Sequence, residues 1–441
     1  MRKLLGAALT AMAAVVALTS CSQSTTGQGP GPSVTTSAPP PVATQPLPGH
    51  SFVVTRDLDA RAIAAAVDPK TWNRDLVLDT TRNSKLPKEA VVHDLTDSGG
   101  LLISQSEQVI KDGEPILQPA KTSLWSADGR QRLLDDAAGR AKPVRQPING
   151  RAHGPNATWV DTTSVDLFKQ DWQIRYFDAA ARTTRLIADS AVLFPGVKNL
   201  RPPPGDTTPI MAADGTIYWE AAVPDAEAHL GYTGVIMARD SRAKGPVRTV
   251  VRKASTPAVV GNTLYYSHLD DVSPETPQKK LEIHARTPDG TDRVVVEAPL
   301  IKDQQILQLA ATSTHLAWVI SDTDRQAPPG DDLEEGCRDT KDHGCSLYLM
   351  KHGSNQALRI KLHTYTAVPV LTPTLLGWGG SSSSGDTGEY VMDLATSKVW
   401  RVGSARGCSE VVLAGAYASW STGNADGQCN GQVVVRWRTP S

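Results

Sequence analysis

A short apolar segment, bearing Trp or Tyr in six of its seven copies, recurs along the chain and constrains the fold more than any other feature. The copies are Leu101–Ile103, Thr158–Val160, Ile217–Trp219, Leu264–Tyr266, Leu316–Trp318, Leu376–Trp378 and Ala418–Trp420. Their spacing is near the period of four-stranded propeller blades. A β-like run and a tight turn, such as Asp214-Gly215 or Gly261-Asn262, precede the segment, which is a hairpin signal. The repeats predict an all-β propeller over residues 51–441. Seven four-stranded blades fit best, with six or eight as alternatives because the first copy is faint.

The seventh repeat shows only three strand-like runs before Ser441. An unpaired blade edge would invite aggregation, so we expect an N-terminal strand to close the ring. Two segments are candidates for that strand, Ser51–Thr55 and Leu76–Asp79. Residues Asp59–Val67 are rich in Ala, and we expect one helix there, outside the ring.

The Asp-Gly turns that precede apolar and aromatic positions carry a resemblance to known propellers. They occur in Ala213–Trp219 and, after a Pro, in Thr287–Thr291. In these segments the chain resembles the TolB-like and WD40-like propellers of bacterial envelopes. The recurrent Trp residues are interpreted as packing between blades rather than as a ligand site.

The N-terminus has the features of an export signal. Met1-Arg2-Lys3 is basic, Leu4–Leu18 is a short apolar run, and Leu18–Cys21 ends the run with two small residues and a cysteine. The run is too short for a spanning helix but suits a secretory signal peptide. Its end resembles the lipobox of bacterial lipoproteins. The resemblance implies cleavage before Cys21, a diacylglyceryl group on its thiol and a further acyl chain such as palmitate on its amino group. A plain secreted protein is the alternative.

Residues 21–50 are Ser, Thr, Gly, Gln and Pro with little to bury, so this segment is predicted to be a tether. Roughly 29 residues at about 3 Å each would reach about 90 Å from the bilayer. Residues 1–20 are thus the signal peptide, 21–50 the tether and 51–441 the propeller. The expected location is the extracytoplasmic side of the cell membrane. The composition hints at an actinobacterial genome.

Four cysteines besides Cys21 suggest two disulfides in an exported domain. Cys408 precedes the first strand of the last blade and Cys429 lies between its second and third strands, so both fall at one end of that blade. Cys337 and Cys345 share one loop. We expect the pairs Cys408–Cys429 and Cys337–Cys345. A zinc site is the competing interpretation, but close paired spacings are lacking.

Long loops are predicted between the second and third strands of the blades, all at one end of the ring. Long loops on a rigid scaffold are where binding usually occurs. The longest is acidic, and its candidate binding residues are Asp322, Asp324, Asp331, Asp332, Glu334 and Glu335, followed by Asp339 and Asp342. Calcium would suit such carboxylates. The EF-hand spacing is absent, which favours a solvated acidic insertion.

Motifs for known chemistry are missing from the sequence. It has neither a phosphate-binding Gly-rich loop with Lys nor a His-Glu-x-x-His pair, and Gly379–Gly385 does not form a nucleophile elbow. A formal net charge of −1 argues against a nucleic-acid partner. We therefore predict a non-catalytic binding or scaffolding lipoprotein without cofactor or metal. Its expected partners are the membrane, through the lipid, and an envelope protein or wall polymer. The alternative is an enzyme acting on a glycan or peptide at the central funnel. Ionisable groups converging on the channel, with buried and perturbed carboxylates, would favour the enzyme.

Overall fold

The propeller is described by a computed structural model. The described residues are 51–60, 63, 78–84, 86, 90–105, 109–111, 114–116, 118–126, 128–136, 144–163, 171–197, 200, 208–228, 231–269, 278–300, 304–322, 345–362, 368–380, 388–403, 411–423 and 429–437. Within these ranges, no helix is long and apolar enough to cross a membrane.

Seven blades, numbered in chain order, account for almost all of the described chain, and each contains a four-stranded sheet. Blade 1 is β3 (Ala90–Leu95), β4 (Leu101–Gln105), β7 (Lys121–Trp125) and β8 (Gln131–Asp136). Blade 2 is β9 (Gln146–His153), β10 (Asn156–Thr162), β11 (Gln173–Asp178) and β12 (Thr183–Asp189). Blade 3 is β13 (Ile210–Met211), β14 (Thr216–Pro224), β15 (Tyr232–Asp240) and β16 (Arg248–Arg252). Blade 4 is β17 (Ala254–Val260), β18 (Thr263–His268), β19 (Lys280–Arg286) and β20 (Asp292–Pro299).

The remaining blades follow the same order. Blade 5 is β21 (Gln304–Ala311), β22 (His315–Asp322), β23 (Ser346–Lys351) and β24 (Gln356–Lys361). Blade 6 is β25 (Val370–Leu371), β26 (Leu375–Gly380), β27 (Gly388–Asp393) and β28 (Val399–Gly403). Blade 7 is β29 (Val412–Ala414), β30 (Tyr417–Gly423), β31 (Cys429–Trp437) and the N-terminal β2 (Leu78–Ser84). The prediction of seven blades is confirmed.

Three smaller elements lie outside this pattern. β5 (Val109–Lys111) and β6 (Glu114–Ile116) form a separate hairpin inserted between the second and third strands of blade 1. Helix α1 (Ser190–Leu193) follows blade 2, and the Asp189 carboxylate caps it by accepting a hydrogen bond from the Ala191 amide. Strand β1 (Val53–Asp59) precedes the ring.

The ring is closed by β2, which pairs antiparallel with β31 from Leu78 opposite Trp437 to Ser84 opposite Gln432. The closing strand overlaps Leu76–Asp79, one of the two candidates from the sequence. Closure supplies the fourth strand that the seventh repeat lacks. The edge of β31 therefore does not stay unpaired.

The other candidate, Ser51–Thr55, does not close the ring. It belongs to β1, which pairs parallel with β24 as a fifth strand on the outside of blade 5. Because Asp59 is the last residue of β1, the helix predicted over Asp59–Val67 does not begin at its first residue. Most of that predicted helix lies outside the described residues.

The recurrent tryptophans are buried between blades. Trp159, Trp219, Trp318, Trp378 and Trp420 occupy equivalent positions in the second strands and are at most 1% exposed. Trp219 of blade 3 shares one apolar cluster with Ile174 and Ile187 of blade 2. Burial of this kind favours the packing interpretation over a ligand site.

Candidate functional site

The two ends of the ring differ in the length of their connections. In an antiparallel blade, the first-to-second and third-to-fourth connections lie at one end, the second-to-third connections at the other. We call the first side the short-turn end, where the longest first-to-second connection is 96–100 in blade 1 and the longest third-to-fourth connection is 241–247 in blade 3. We call the other side the long-connection end, where connections range from 424–428 in blade 7 to 323–345 in blade 5. The strand bounds thus give the asymmetry expected from the sequence.

Most of the residues predicted for the binding loop fall outside the described part of the chain. Asp322 is the last residue of β22. Asp324, Asp331, Asp332, Glu334 and Glu335 lie in the connection beyond it, outside the described residues, as do Asp339 and Asp342. Their role stays a prediction.

The cysteine pairs are described only in part. Cys345 precedes β23 and is fully buried, and Cys429 is the first residue of β31. Cys21, Cys337 and Cys408 lie outside the described residues. Lipidation and both pairings therefore stay predictions.

A cavity of about 290 Å³ lies on the axis of the ring. Residues on or beside the first strands of all seven blades line it, including Asp94, Arg151, Ile210, Val259, Leu309, Leu371 and Ala414. Many of these residues are the last ones of their strands, and turn residues such as Asp97, Gly154 and Gly415 also contribute. The cavity therefore lies towards the short-turn end.

Asp94 on β3 is the buried carboxylate of this cavity, with 2% exposure. Its Oδ2 accepts a hydrogen bond from the Ala152 amide at 2.8 Å and lies 3.9 Å from Nε of Arg151. Oδ1 has no hydrogen-bond partner among the described residues. Burial raises the pKa of Asp94, opposed by the charge of Arg151 and by the Ala152 and Leu95 amides. A buried oxygen without a partner is costly.

Two further ionisable groups on this side of the cavity come from β9, and a third, Asp97, lies in the turn after β3. The side chain of Arg151 is 33% exposed. Nε2 of His153 lies 3.0 Å from Oγ1 of Thr158. The Thr158 hydroxyl donates to the Pro209 carbonyl, so the imidazole donates to Thr158. Burial, and then the charge of Arg151, lower the pKa of His153 to about 3. His153 is therefore neutral at pH 7 and is a poor proton acceptor.

Two other buried carboxylates, those of Glu220 and Asp161, are better satisfied than that of Asp94. Glu220 accepts hydrogen bonds from the Ser255 hydroxyl and the Thr256 amide, both at 2.8 Å, which join blades 3 and 4. Asp161 accepts from Trp159 Nε1 and Arg175 Nε, both at 3.1 Å. These two groups have structural roles. Asp94 differs because one of its oxygens has no such partner.

Reasoning from the sequence did not single out Asp94, Arg151 or His153. Asp94 and Ala152, which the hydrogen bond joins, are 58 residues apart and on different blades. The available signal was a pair of charged residues near the ends of two first strands, which is a weak one. Among the described residues, no group of three or more His, Cys, Asp or Glu side chains is arranged to hold a metal ion.

The sequence matches no protein-family model and no curated protein. Solved structures are similar at low identity. The propeller domain of the Trilobed protease from Pyrococcus furiosus is 9% identical over 76% of this chain and 91% of its own, with a TM-score of 0.44. An oligogalacturonate lyase from Vibrio parahaemolyticus is 10% identical over 81% and 96%, with a TM-score of 0.47. TolB from Acinetobacter baumannii is 10% identical over 76% and 78%, with a TM-score of 0.37. Likeness at this level says nothing of activity or ligand. The assignment as a propeller is based on the seven sheets of the ring itself.

Proposed function

We propose that the chain is a lipoprotein, anchored through Cys21 on the extracytoplasmic side of the cell membrane, whose propeller binds another envelope protein or a wall polymer without catalysis. The observation that carries the binding role is the difference between the two ends of the ring. The longest connection at the long-connection end is 323–345, whereas the longest within a blade at the other end is 241–247. Rigid scaffolds bind through their long loops.

The scaffold beneath these loops is rigid. Five tryptophans at equivalent positions are at most 1% exposed, and Trp318 and Trp378 stack on Tyr348 and Tyr390 with ring centroids 5.4 and 5.3 Å apart. Stacked and buried aromatic side chains fix neighbouring strands in one arrangement. The strand ends from which these connections leave are therefore held at constant spacing, which suits recognition of a macromolecular partner.

The position of the N-terminal strand β1 bears on which end of the ring would face away from the membrane. β1 runs parallel to β24, the fourth strand of blade 5, so Ser51 lies at the short-turn end. A tether that ends at residue 50 would join the ring there, opposite the long connections. The long-connection end could then face away from the membrane.

The lipid anchor is tested by metabolic labelling with an alkyne analogue of palmitate. We expect label on the wild-type protein, and for Cys21→Ser neither label nor membrane retention. Label that persists in Cys21→Ser would contradict the anchor. The plain secreted alternative predicts an unlabelled wild-type protein in the medium.

The binding face is tested by crosslinking from native membranes. The test variant carries Asp331→Asn, Asp332→Asn, Glu334→Gln and Glu335→Gln, which keeps the loop length. A matched control removes four charges in or beside turns at the short-turn end, through Asp128→Asn, Asp214→Asn, Asp240→Asn and Asp289→Asn. We expect a partner with the wild type and the control, and at least a severalfold loss with the loop variant. Equal capture by all three would contradict the acidic loop as the binding site. If none captures a protein, the same three proteins are tested on isolated wall polymer.

An enzyme acting on a glycan or peptide at the central funnel is the second candidate. Asp94 favours it, since a buried carboxyl group with a raised pKa is a common feature of catalytic acids. His153, which also lines the cavity, is neutral and hydrogen-bonded to Thr158, so it is not available as a general base. Turnover of glycan or peptide substrates that is lost in Asp94→Asn would establish the enzyme.

A further inference from the structure

We propose that a cleft between blades 4 and 5, at the short-turn end, binds a small monocarboxylate with an apolar body. This site is independent of the binding function proposed for the long-connection end. The cleft has a volume of about 620 Å³, within the usual range for ligand sites. Blade 4 lines it from β17, β18 and β20, and blade 5 lines it from β22, β23 and the turns 312–314 and 352–355.

Strand register directs Arg293 towards blade 5. Ala285 of β19 is paired with Tyr265 of β18 and with Arg293 of β20, and side chains at paired positions of antiparallel strands share one face of the sheet. Tyr265 and Ala285 belong to the apolar cluster that blade 4 shares with blade 5. The Arg293 side chain therefore leaves β20 on that same face, where the cleft lies.

Arg293 has no carboxylate partner in the described part of the chain. No Asp or Glu is among the described residues that line the cleft, and Arg293 forms no ion pair with any described residue. Arg286 of the same blade differs, since it lies 3.2 Å from a carboxylate oxygen of Asp292. The tether residues 22–50 also contain no Asp or Glu, so no carboxylate side chain of that segment can pair with Arg293.

Blade 3 has the equivalent row of side chains, but with a carboxylate nearby. Tyr218 of β14 and Arg248 of β16 are paired through one residue of β15, as Tyr265 and Arg293 are in blade 4. Burial raises the pKa of Tyr218, and the charge of Asp214 raises it further, opposed by Arg248. Burial also raises the pKa of Tyr265, but the charge acting on it among the described residues is that of Arg293. Blade 4 thus keeps the tyrosine and the arginine without the carboxylate.

These two side chains offer a guanidinium and a hydroxyl to an anion. The Tyr265 hydroxyl makes no hydrogen bond within the described structure. A guanidinium donates two parallel hydrogen bonds to a planar carboxylate, which adds specificity to the charge attraction. A single unpaired cation matches one negative charge better than a dianion such as phosphate.

The cleft has an apolar floor and a polar rim. Leu316 and Met350, which are paired across β22 and β23, are 1% and 6% exposed. The imidazole of His352 donates to the Thr312 carbonyl at 2.8 Å and packs on the Tyr265 ring with centroids 5.5 Å apart, so this part of the wall is fixed. More exposed residues of the two turns form the rim. The apolar body of a carboxylic acid would cover the floor while its carboxylate reaches Arg293.

The experiment is a ligand-observed NMR titration of the full chain with 3-phenylpropionate, its uncharged analogue 3-phenylpropanamide, and inorganic phosphate. We expect the acid to bind with a Kd of about 1 mM or below. The amide should bind at least about tenfold more weakly, because it lacks the charge that pairs with Arg293. Equal binding of acid and amide, or tighter binding of phosphate than of the acid, would overturn the proposal. Absence of binding by 3-phenylpropionate, hexanoate and cyclohexanecarboxylate at about 10 mM would also overturn it.

Variants of the two side chains locate the ligand. Arg293→Gln should weaken binding of 3-phenylpropionate about tenfold or more, and Arg293→Lys, which keeps the charge but not the paired donors, should lie between it and the wild type. Tyr265→Phe keeps the ring and should weaken binding about twofold to tenfold.

Arg248→Gln, at the equivalent position of blade 3, is the matched control and should bind as the wild type does. Both arginines are exposed, so each variant should stay folded by circular dichroism. Binding unchanged in Arg293→Gln, or equal losses in Arg293→Gln and Arg248→Gln, would overturn the proposal. Because neither variant alters the acidic loop, partner capture should persist in both.

Discussion

Blades 5 and 7 both receive a strand from the N-terminal segment, but they use it differently. In blade 7, β2 is the fourth strand and pairs antiparallel with β31. In blade 5, β1 is a fifth strand and pairs parallel with β24, which already completes a four-stranded sheet. β2 completes the ring, whereas β1 reinforces blade 5 from outside. Pairing geometry alone thus assigns different roles to two consecutive strands of the chain.

The reinforcement of blade 5 is made by side chains as well as by the backbone. Phe52 is 2% exposed and packs in the cluster shared by blades 4 and 5, with its ring centroid 5.3 Å from that of Trp318 and 5.7 Å from that of Tyr348. The Ser51 amide donates to the Glu297 carbonyl of blade 4 at 2.8 Å. The N-terminal segment therefore joins two blades at their rim.

The largest effect should come from breaking strand pairing in blade 7. The double variant Thr81→Pro and Arg82→Pro removes the amide donors of two consecutive residues of β2, so that whichever amide faces β31 is lost. We expect soluble aggregates or no folded monomer by size-exclusion chromatography, because β31 becomes an open edge. The matched pair Arg56→Pro and Asp57→Pro in β1, at two consecutive positions paired with β24, should leave a folded monomer of lower melting temperature. The comparison fails if both double variants behave alike.

The next effect concerns the apolar contact of blade 5. Phe52→Ala should lower the free energy of unfolding by about 3–5 kcal/mol, the usual cost of removing a buried Phe side chain. Chemical denaturation followed by Trp fluorescence measures the change. Val192→Ala, at a position that is 76% exposed, should change stability by less than about 0.5 kcal/mol. A loss for Phe52→Ala below about 1 kcal/mol would mean that the residue preceding β1 adds little to the stability of blade 5.

A smaller effect tests how blade 7 contacts blade 6. A Cβ on Gly377 would lie 2.5 Å from Cγ1 of Val411 and 3.1 Å from Cδ1 of Leu413. Gly377→Ala should therefore cost about 1–3 kcal/mol through overpacking, as measured by chemical denaturation. Val411→Ala removes the nearer atom. Gly377→Ala should therefore cost less in the Val411→Ala background than in the wild type. Strictly additive losses would show that the close approach is relieved elsewhere.

The smallest effect concerns the ion pair of β1. Asp57 accepts two hydrogen bonds from Arg359 of β24, one from Nε at 3.1 Å and a shorter one from the terminal guanidinium nitrogen. The two side chains are 20% and 31% exposed, so Asp57→Asn should cost about 0.5–1 kcal/mol. The cost should shrink in about 1 M salt, where screening is strong. Asp240→Asn, at a more exposed pair with Arg242, is the control and should cost less.

The sequence predicted the ring because the ring is built from repeated local patterns. The second strands carry Trp159, Trp219 and Trp318 at equivalent positions, and the turns carry glycines such as Gly261, whose φ is +58°. Both features are visible within a few residues of chain. Because the seventh repeat lacked a fourth strand, an N-terminal closing strand was predicted, and one of its two candidate segments overlaps β2.

The position of β1 could not be predicted in this way. Val53–Asp59 is a strand-like segment whose partner, Gln356–Lys361, comes four blades later in the chain, and no local pattern identifies a parallel partner at that distance. The axial cavity is a similar case. Asp94 and Arg151 meet because blades 1 and 2 are adjacent around the ring, and hydrophobic periodicity does not report which ends of strands converge.

Strand β1 also has a mechanical consequence. Because it comes earlier in the chain than β2, a force that pulls on the N-terminal segment reaches β1 first. The parallel strands β1 and β24 share six paired positions, from Val53 opposite Gln356 to Asp59 opposite Lys361. Pulling from the Ser51 side along the strand axis loads their hydrogen bonds together in shear instead of peeling them one by one. The pairing of β1 with β24 thus bears a pulling force before that force reaches β2, the strand that closes the ring.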